Sequence, residues 1–172
     1  MKLSALVIAT SLFAPAALAS AQGINDAQIA HIVVTANQID IDAGKLAESK
    51  GANAQVKAFG KQMVTDHTGV NQQAVALATK LKVTPEDNAT SQALKKGAAD
   101  NMKTLNGLSG AAFDKAYIDH EIAYHEQVLD AIDKVLVPNA KNEELKALIV
   151  KVRPAFVGHL EHAKMIKGAL KG

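Results

Sequence analysis

Residues 113–136 read FDKAYIDHEIAYHEQVLDAIDKVL. Their apolar side chains recur every three or four residues, a spacing that predicts an α-helix with one apolar face. Glu121 lies near the centre of that face and His125 lies within it. A helical-bundle core excludes unpaired charge, because burying it costs several kcal/mol. We therefore expect these two side chains to share a site with polar groups on other helices.

The same apolar period predicts three more long helices. We expect long helices over residues 26–50, 53–82, 111–137 and 140–170. Asp40, His67 and His159 lie on the apolar faces of the other three helices, near mid-length. Residues 88–110 carry a thinner apolar stripe interrupted by glycines, which predicts a short helix or a long connection.

Four helices of this length predict an all-α four-helix bundle with a long, partly helical connection between the second and third long helices. Pro154 falls inside the fourth predicted helix. Its ring removes a backbone donor and crowds the carbonyl of Val150, so either a kink or two abutting helices would accommodate it.

The first residues have the pattern of a secretory signal peptide. Lys2 precedes a mostly apolar run over residues 3–18, and small residues follow at spacings that suit cleavage. We therefore expect a signal peptide over residues 1–21, a single helical domain over 22–172, and export to the periplasm or the outer cell envelope. The apolar run is too short to span a bilayer comfortably, and no other segment predicts a transmembrane helix.

Composition excludes several classes of function. The chain has no cysteine, which excludes disulfides, thiol catalysis and thiolate metal ligands. The formal net charge is +2 and the only arginine is Arg153, so the sequence lacks the basic stripe that binds phosphate backbones. We expect no nucleic-acid partner, and the sequence leaves a protein partner or a homo-oligomer open.

The inward ionisable residues predict a metal site. The candidate ligands are His67, Glu121, His125, His159 and Asp40. Imidazole and carboxylate together suit Zn, Fe, Mn or Cu better than Ca or Mg. The alternative is a purely structural polar layer, with a buried Glu–His salt bridge that fixes helix register in a non-catalytic module for envelope stress or interaction. The sequence predicts no reaction, so enzymatic activity stays open.

For several neighbouring residues the sequence allows two interpretations. Asp66 either orients a ligand histidine or is a solvated charge. Tyr117 and Tyr124 either pack in the core or donate a hydrogen bond to Glu121. His120 and His162 lie toward the edges of their stripes, where His162 either forms a surface chelate with His159 or is solvated.

Short motifs then indicate a family. Residues 59–67, FGKQMVTDH, resemble an F-x-x-x-M-V-x-D-H segment, and residues 113–125 are similar to an F-D-x-x-Y motif followed by an inward histidine. Residues 44–47, GKLA, and 158–160, GHL, resemble two further segments of the same family. This family is domain of unknown function 4142, and the resemblance covers about residues 26–170.

The resemblance implies an exported, ferritin-like four-helix bundle, and it implies no settled activity. Two features depart from related patterns. The position of Asp40 is often glutamate in that family, and a shorter side chain reaches about one methylene less far. Carboxylate di-iron proteins use Glu-x-x-His pairs, and the chain contains none, which argues against a ferritin-type ferroxidase centre.

Overall fold

The computed structural model describes residues 23–170, and all regular structure in that range is helical. The helices are α1 (Asp26–Lys50), α2 (Ala54–Leu81), α3 (Ala89–Asn106), α4 (Gly110–Ala131), α5 (Val137–Asn139) and α6 (Glu143–Ala169). A single π-helical turn, Ile132–Leu136, joins α4 to α5. No strand occurs within residues 23–170. The predicted all-α class is confirmed.

Local sequence explains where the first two helices begin and end. The Asn25 side chain accepts a hydrogen bond from the amide of Gln28 at 2.8 Å, and the Gln28 side chain accepts one from the amide of Asn25 at 3.1 Å, which forms a capping box. Gly51 ends α1 and Asn53 caps α2. The Asp114 carboxylate accepts bonds from the amides of Ala52 and Asn53 at 2.9 and 2.8 Å. This turn is therefore fixed to α4.

The structure also decides two predictions that the sequence left open, the form of the connection and the effect of Pro154. Residues 88–110 contain the 18-residue helix α3, so the connection that we predicted to be partly helical is mostly one helix. The α6 helix runs unbroken through Pro154, which excludes two abutting helices. The sequence did not predict the irregularity at Ile132–Leu136. There the Val137 amide donates to the Ile132 carbonyl, one residue further back than in an α-helix, immediately before Pro138.

The core consists of two apolar ends. We call one the glycine end, with buried side chains Ala43, Ala47, Val56, Phe59, Met63, Leu105, Phe113, Tyr117, Ile118, Ala163 and Ile166. We call the other the π-turn end, with buried side chains Ile29, Ile32, Val33, Ala74, Tyr124, Val128, Ile132, Leu136, Ala140, Leu145, Ile149 and Phe156. Each long helix contributes to both ends. The inward ionisable residues lie near the middle of the long helices, where the two ends meet, and form a polar layer.

Two glycines bring α1 and α2 close together at the glycine end. A Cβ atom added at Gly44 would lie 2.7 Å from the Gly60 carbonyl oxygen, and one added at Gly60 would lie 2.7 Å from the Gly44 oxygen. No real side chain tolerates such contacts without backbone movement. Glycine at both positions therefore permits the close contact of these helices.

In the range that the structure describes, no helix combines the length and the apolar character that a bilayer crossing requires. The predicted signal peptide, residues 1–21, lies outside the described residues.

Candidate metal centre

The structure buries all the predicted ligands in the polar layer. The relative exposure is 1% for Asp40, 0% for His67, Glu121 and His125, and 3% for His159. The α1, α2, α4 and α6 helices supply these side chains, each near the middle of its length. Their side chains form two overlapping groups that share His125.

The first group consists of three imidazoles. One ring nitrogen from each of His67, His125 and His159 lies within 4.8 Å of the other two. The ring centroids are 5.7 Å apart for His67 and His125, 5.2 Å for His67 and His159, and 5.5 Å for His125 and His159. Phe156 packs on the π-turn side of this group, with its ring centroid 5.0 Å from that of His67.

Hydrogen bonds set the tautomer of the first two rings. The Asn37 amide nitrogen donates to the Val33 carbonyl at 2.8 Å, so its oxygen faces His67. The His67 Nδ1 atom lies 2.7 Å from that oxygen and must be the protonated donor. The His125 Nδ1 atom lies 3.0 Å from the Glu121 backbone carbonyl and must likewise donate. Each Nε2 atom therefore carries a lone pair.

The third ring is oriented from the opposite nitrogen. The His159 Nε2 atom donates to the Asp66 carboxylate at 2.9 Å, which leaves its Nδ1 atom as the one available to a metal. The three remaining nitrogens, Nε2 of His67, Nε2 of His125 and Nδ1 of His159, are buried and have no hydrogen-bond partner. Histidine ligands of metals usually donate their other N–H to a carbonyl or carboxylate in this way.

The second group consists of two carboxyls and His125. One atom from each of Asp40, Glu121 and His125 lies within 4.8 Å of the other two. The carboxyl oxygens of Asp40 and Glu121 are buried without a conventional donor. Burial, followed by the nearby Glu121 carboxylate, raises the pKa of Asp40 well above its ordinary value. Either a shared proton or a cation must offset the repulsion between these groups.

The His67 and His125 rings are held in the neutral form that binds metals. Burial, reinforced by His125 and His159, lowers the pKa of His67 to about 2. Burial also lowers the pKa of His125. Both rings are therefore neutral at physiological pH, and their lone pairs are available without the loss of a proton.

The structure also places the neighbouring residues. Asp66 orients His159, as one of its two readings proposed. The Tyr124 hydroxyl donates to the Ala36 carbonyl at 3.2 Å, and the Tyr117 hydroxyl has no partner, so neither bonds Glu121. His162 Nδ1 lies 3.0 Å from Gln62 Oε1, whereas His159 is buried and bonds Asp66. A surface chelate between the two histidines is therefore wrong.

Sequence reasoning missed one residue of the centre. Asn37 is buried on α1 and holds the His67 ring. It lies three residues before Asp40, on the same helix face, so its inward position could have been read from the helical period. Its hydrogen-bond partner, His67, could not be predicted from the sequence, because the pairing depends on how α1 and α2 pack.

The donor set suits a transition-metal ion. Three imidazole nitrogens form one group, and two carboxyls form a second group with His125, all of them buried away from bulk water. Mixed nitrogen and oxygen ligands suit Zn, Fe, Mn or Cu. The orphaned lone pairs are the structural sign of this fit, because an unpaired buried acceptor otherwise costs about 1–3 kcal/mol.

The fold and the site together define an all-helical protein with a buried histidine–carboxylate centre. The chain belongs to the family described as Domain of unknown function (DUF4142), whose model matches residues 11–166. No curated protein matches the chain, and no solved structure does.

Proposed function

We propose that this protein is an exported, ferritin-like four-helix-bundle protein that binds a transition-metal ion in its polar layer. His67, His125 and His159 would supply imidazole nitrogens. Glu121 and Asp40 would supply carboxylate oxygens. When bound, the metal would supply Lewis acidity or redox chemistry, while the chain itself orients the ligands and excludes water.

The observation that carries this proposal is the set of orphaned nitrogens. Three buried rings each use one nitrogen in a hydrogen bond, and the other nitrogen has no partner. A purely structural network would be expected to pair those acceptors, because an unsatisfied buried group destabilises the fold. Binding one cation would satisfy all of them together.

Other contacts favour the structural alternative. His67 Nδ1 lies 3.5 Å from Asp40 Oδ2, and His125 Nδ1 lies 3.6 Å from Glu121 Oε2. These distances permit buried ion pairs that would fix the register of the helices without a metal. Such a module would act through a protein partner. The lowered pKa of each ring opposes this reading, because an ion pair needs a charged imidazole.

The bundle architecture and export belong to the same proposal. The long helices α1, α2, α4 and α6 share one core, with α3 connecting α2 to α4, which is the connectivity of a bundle with one crossover. The apolar segment at residues 3–18 supports export. The intact mass of protein recovered from the periplasm would show whether residues 1–21 are removed.

Elemental analysis by plasma mass spectrometry tests the metal proposal. The protein would be produced in the periplasm without a histidine tag. We expect near-stoichiometric amounts of one transition metal in the wild type and its loss in the His67→Ala/His159→Ala double variant. The matched control is His162→Ala, which removes a histidine three residues further along α6 that bonds Gln62 and belongs to neither group.

Two results would count against metal binding. If the double variant keeps the metal that the wild type holds, these histidines are not its ligands. If the wild type holds no metal and takes up none on titration with Zn, Fe, Mn or Cu, the polar layer is structural. In that case a chelator should leave the melting temperature unchanged, and Glu121→Gln should still destabilise the fold.

A further inference from the structure

A surface cavity lies between α3 and the pair of helices α1 and α4. Its volume is about 240 Å³, and its lining residues include Ile39, Leu94, Gly97, His120 and Tyr124. Only Ser91 and Leu105 of α3 are buried, so this helix covers the cavity without a close-packed interface. Small residues of α3, Ala93, Gly97 and Ala98, leave the space open.

His120 connects this cavity with the buried centre. Its side chain is 23% exposed, it lines the cavity, and its Nδ1 atom lies 3.8 Å from the Glu121 Oε1 atom. That Nδ1 atom is itself buried and has no hydrogen-bond partner. The ring stacks on Tyr124, with centroids 5.6 Å apart and planes 15° from parallel. The stacking holds the ring between the cavity and the carboxylate.

We propose that the cavity under α3 is the route by which a divalent transition-metal ion reaches the centre, with His120 as the ligand that transfers it to Glu121. This inference rests on the proposed function. The centre needs such a route, because its ligands are 3% exposed or less. Six waters of a hydrated ion occupy roughly 180 Å³, at about 30 Å³ each. The cavity of about 240 Å³ is therefore large enough for the hydrated ion.

The side of the centre that faces α2 and α6 is less suited to entry. There the carboxylate of Asp66 is engaged by the N–H of His159 at 2.9 Å. An ion entering there would have to break the bond that orients a ligand. On the α3 side, His120 presents an unpaired nitrogen next to an unpaired carboxylate oxygen.

The test is the rate of metal uptake. Metal-free protein, prepared by dialysis against a chelator, would be mixed with Co(II), and binding would be followed by the rise of its visible absorption bands. The Gly97→Leu variant should fill the cavity, because a Cβ atom at Gly97 meets nothing within 4 Å. The matched control is Gly168→Leu on α6, where a Cβ atom also meets nothing within 4 Å and which does not line this cavity.

We expect Gly97→Leu to slow uptake by about tenfold or more relative to Gly168→Leu. Its final Co(II) content should equal that of the wild type. A second variant, His120→Phe, keeps a ring that can stack on Tyr124 and removes the transferring nitrogen. It should also slow uptake, by about tenfold.

The outcomes separate the route from the site. Full Co(II) content reached at the control rate in both variants would overturn the route and leave the metal centre standing. Absence of Co(II) binding in the wild type would overturn the proposed function, and the route with it. Slow uptake with full final content in Gly97→Leu, together with slow uptake in His120→Phe, would support the route.

Discussion

The two ends of the core are built from similar residues and are packed differently. At the glycine end, Phe59, Met63, Phe113, Tyr117 and Ile118 are each 0% exposed. The π-turn end contains an apolar cavity of about 40 Å³, lined by side chains that include Val70, Val128, Ile132 and Phe156. The polar layer therefore lies between an end of fully buried side chains and an end that contains a cavity.

Local backbone geometry accounts for this difference. Gly44 and Gly60 let α1 and α2 touch at the glycine end. At the π-turn end the extra residue in Ile132–Leu136 shifts the side chains that follow it by part of a turn. The close contact buries the glycine end fully, whereas an apolar cavity lies beside the shifted turn.

Truncation of one isoleucine at each end should show the largest effect. Ile118→Ala removes a fully buried side chain at the glycine end and should lower the free energy of unfolding by about 4–5 kcal/mol. Ile132→Ala removes a side chain that already borders a cavity and so makes fewer contacts. It should cost only about 2–3 kcal/mol. Urea unfolding of both variants measures the difference, and equal costs would show that the two ends are packed alike.

The close contact of α1 and α2 predicts a second, smaller effect. A Cβ atom at Gly60 would lie 2.7 Å from the Gly44 oxygen and 2.9 Å from the Ala47 Cβ atom. Gly60→Ala must therefore separate the helices, at a cost of about 1–3 kcal/mol. Gly69→Ala on the same helix is the control, because its Cβ atom meets nothing within 4 Å. The free energy of unfolding of that control should rise by up to about 1 kcal/mol, because alanine has a higher helix propensity than glycine. A stabilising Gly60→Ala would contradict the tight contact.

The polar layer between the ends predicts two opposing effects of pH on the stability of the metal-free protein. Burial lowers the pKa of His67 to about 2 and lowers that of His125 from the ordinary 6.5. Below that ordinary value the unfolded chain binds protons that the folded chain does not, so stability falls with falling pH. Burial and Glu121 raise the pKa of Asp40, so the folded chain keeps a proton that the unfolded chain loses. Stability therefore also falls as the pH rises, until Asp40 ionises.

The Asp40→Asn variant separates these two contributions. Each proton changes the free energy of unfolding by about 1.4 kcal/mol per pH unit. Below about pH 6.5 the two histidines outweigh Asp40, and above it they no longer contribute, so Asp40 is the source of any further decline. In the presence of a chelator, the variant should lose the decline on the alkaline side and keep the decline on the acidic side. Urea unfolding across the pH range measures both, and an alkaline decline that persists in the variant would show that Asp40 is not its source.

Much of this architecture follows from the spacing of apolar residues. The period that predicted long helices also placed Asp40, His67, Glu121, His125 and His159 on inward faces, and the structure buries all of them. The prediction succeeds because a bundle core buries one face of each helix, and that face can be identified from the sequence alone. Whether the buried residues bind a metal stays a prediction.

Other features depend on contacts between helices and could not be predicted in this way. The Asn37–His67 hydrogen bond joins residues of α1 and α2, and the Asp66–His159 bond joins residues of α2 and α6. Both depend on register, which an apolar period leaves undetermined. The π-helical turn was also missed, because the residues of Ile132–Leu136 fit an ordinary α-helix equally well. Of the two ways to accommodate Pro154, two abutting helices are excluded because α6 continues through it.

The smallest expected effect is also the sharpest test of the comparison, because it differs in sign between the ends. Val70→Ile adds one methylene next to the cavity of about 40 Å³, where there is room for it. It should stabilise the fold by up to about 0.8 kcal/mol. Val56→Ile makes the same change at a fully buried position of the glycine end, where the added carbon must displace neighbours. It should cost about 1 kcal/mol or more.

Thermal and urea unfolding of the two variants would show whether the void exists in solution. Both changes replace one β-branched residue of α2 with another, so helix propensity hardly differs between them. The sign of each effect therefore reports packing alone. If Val70→Ile destabilised the protein as much as Val56→Ile, the π-turn end would be as closely packed as the glycine end.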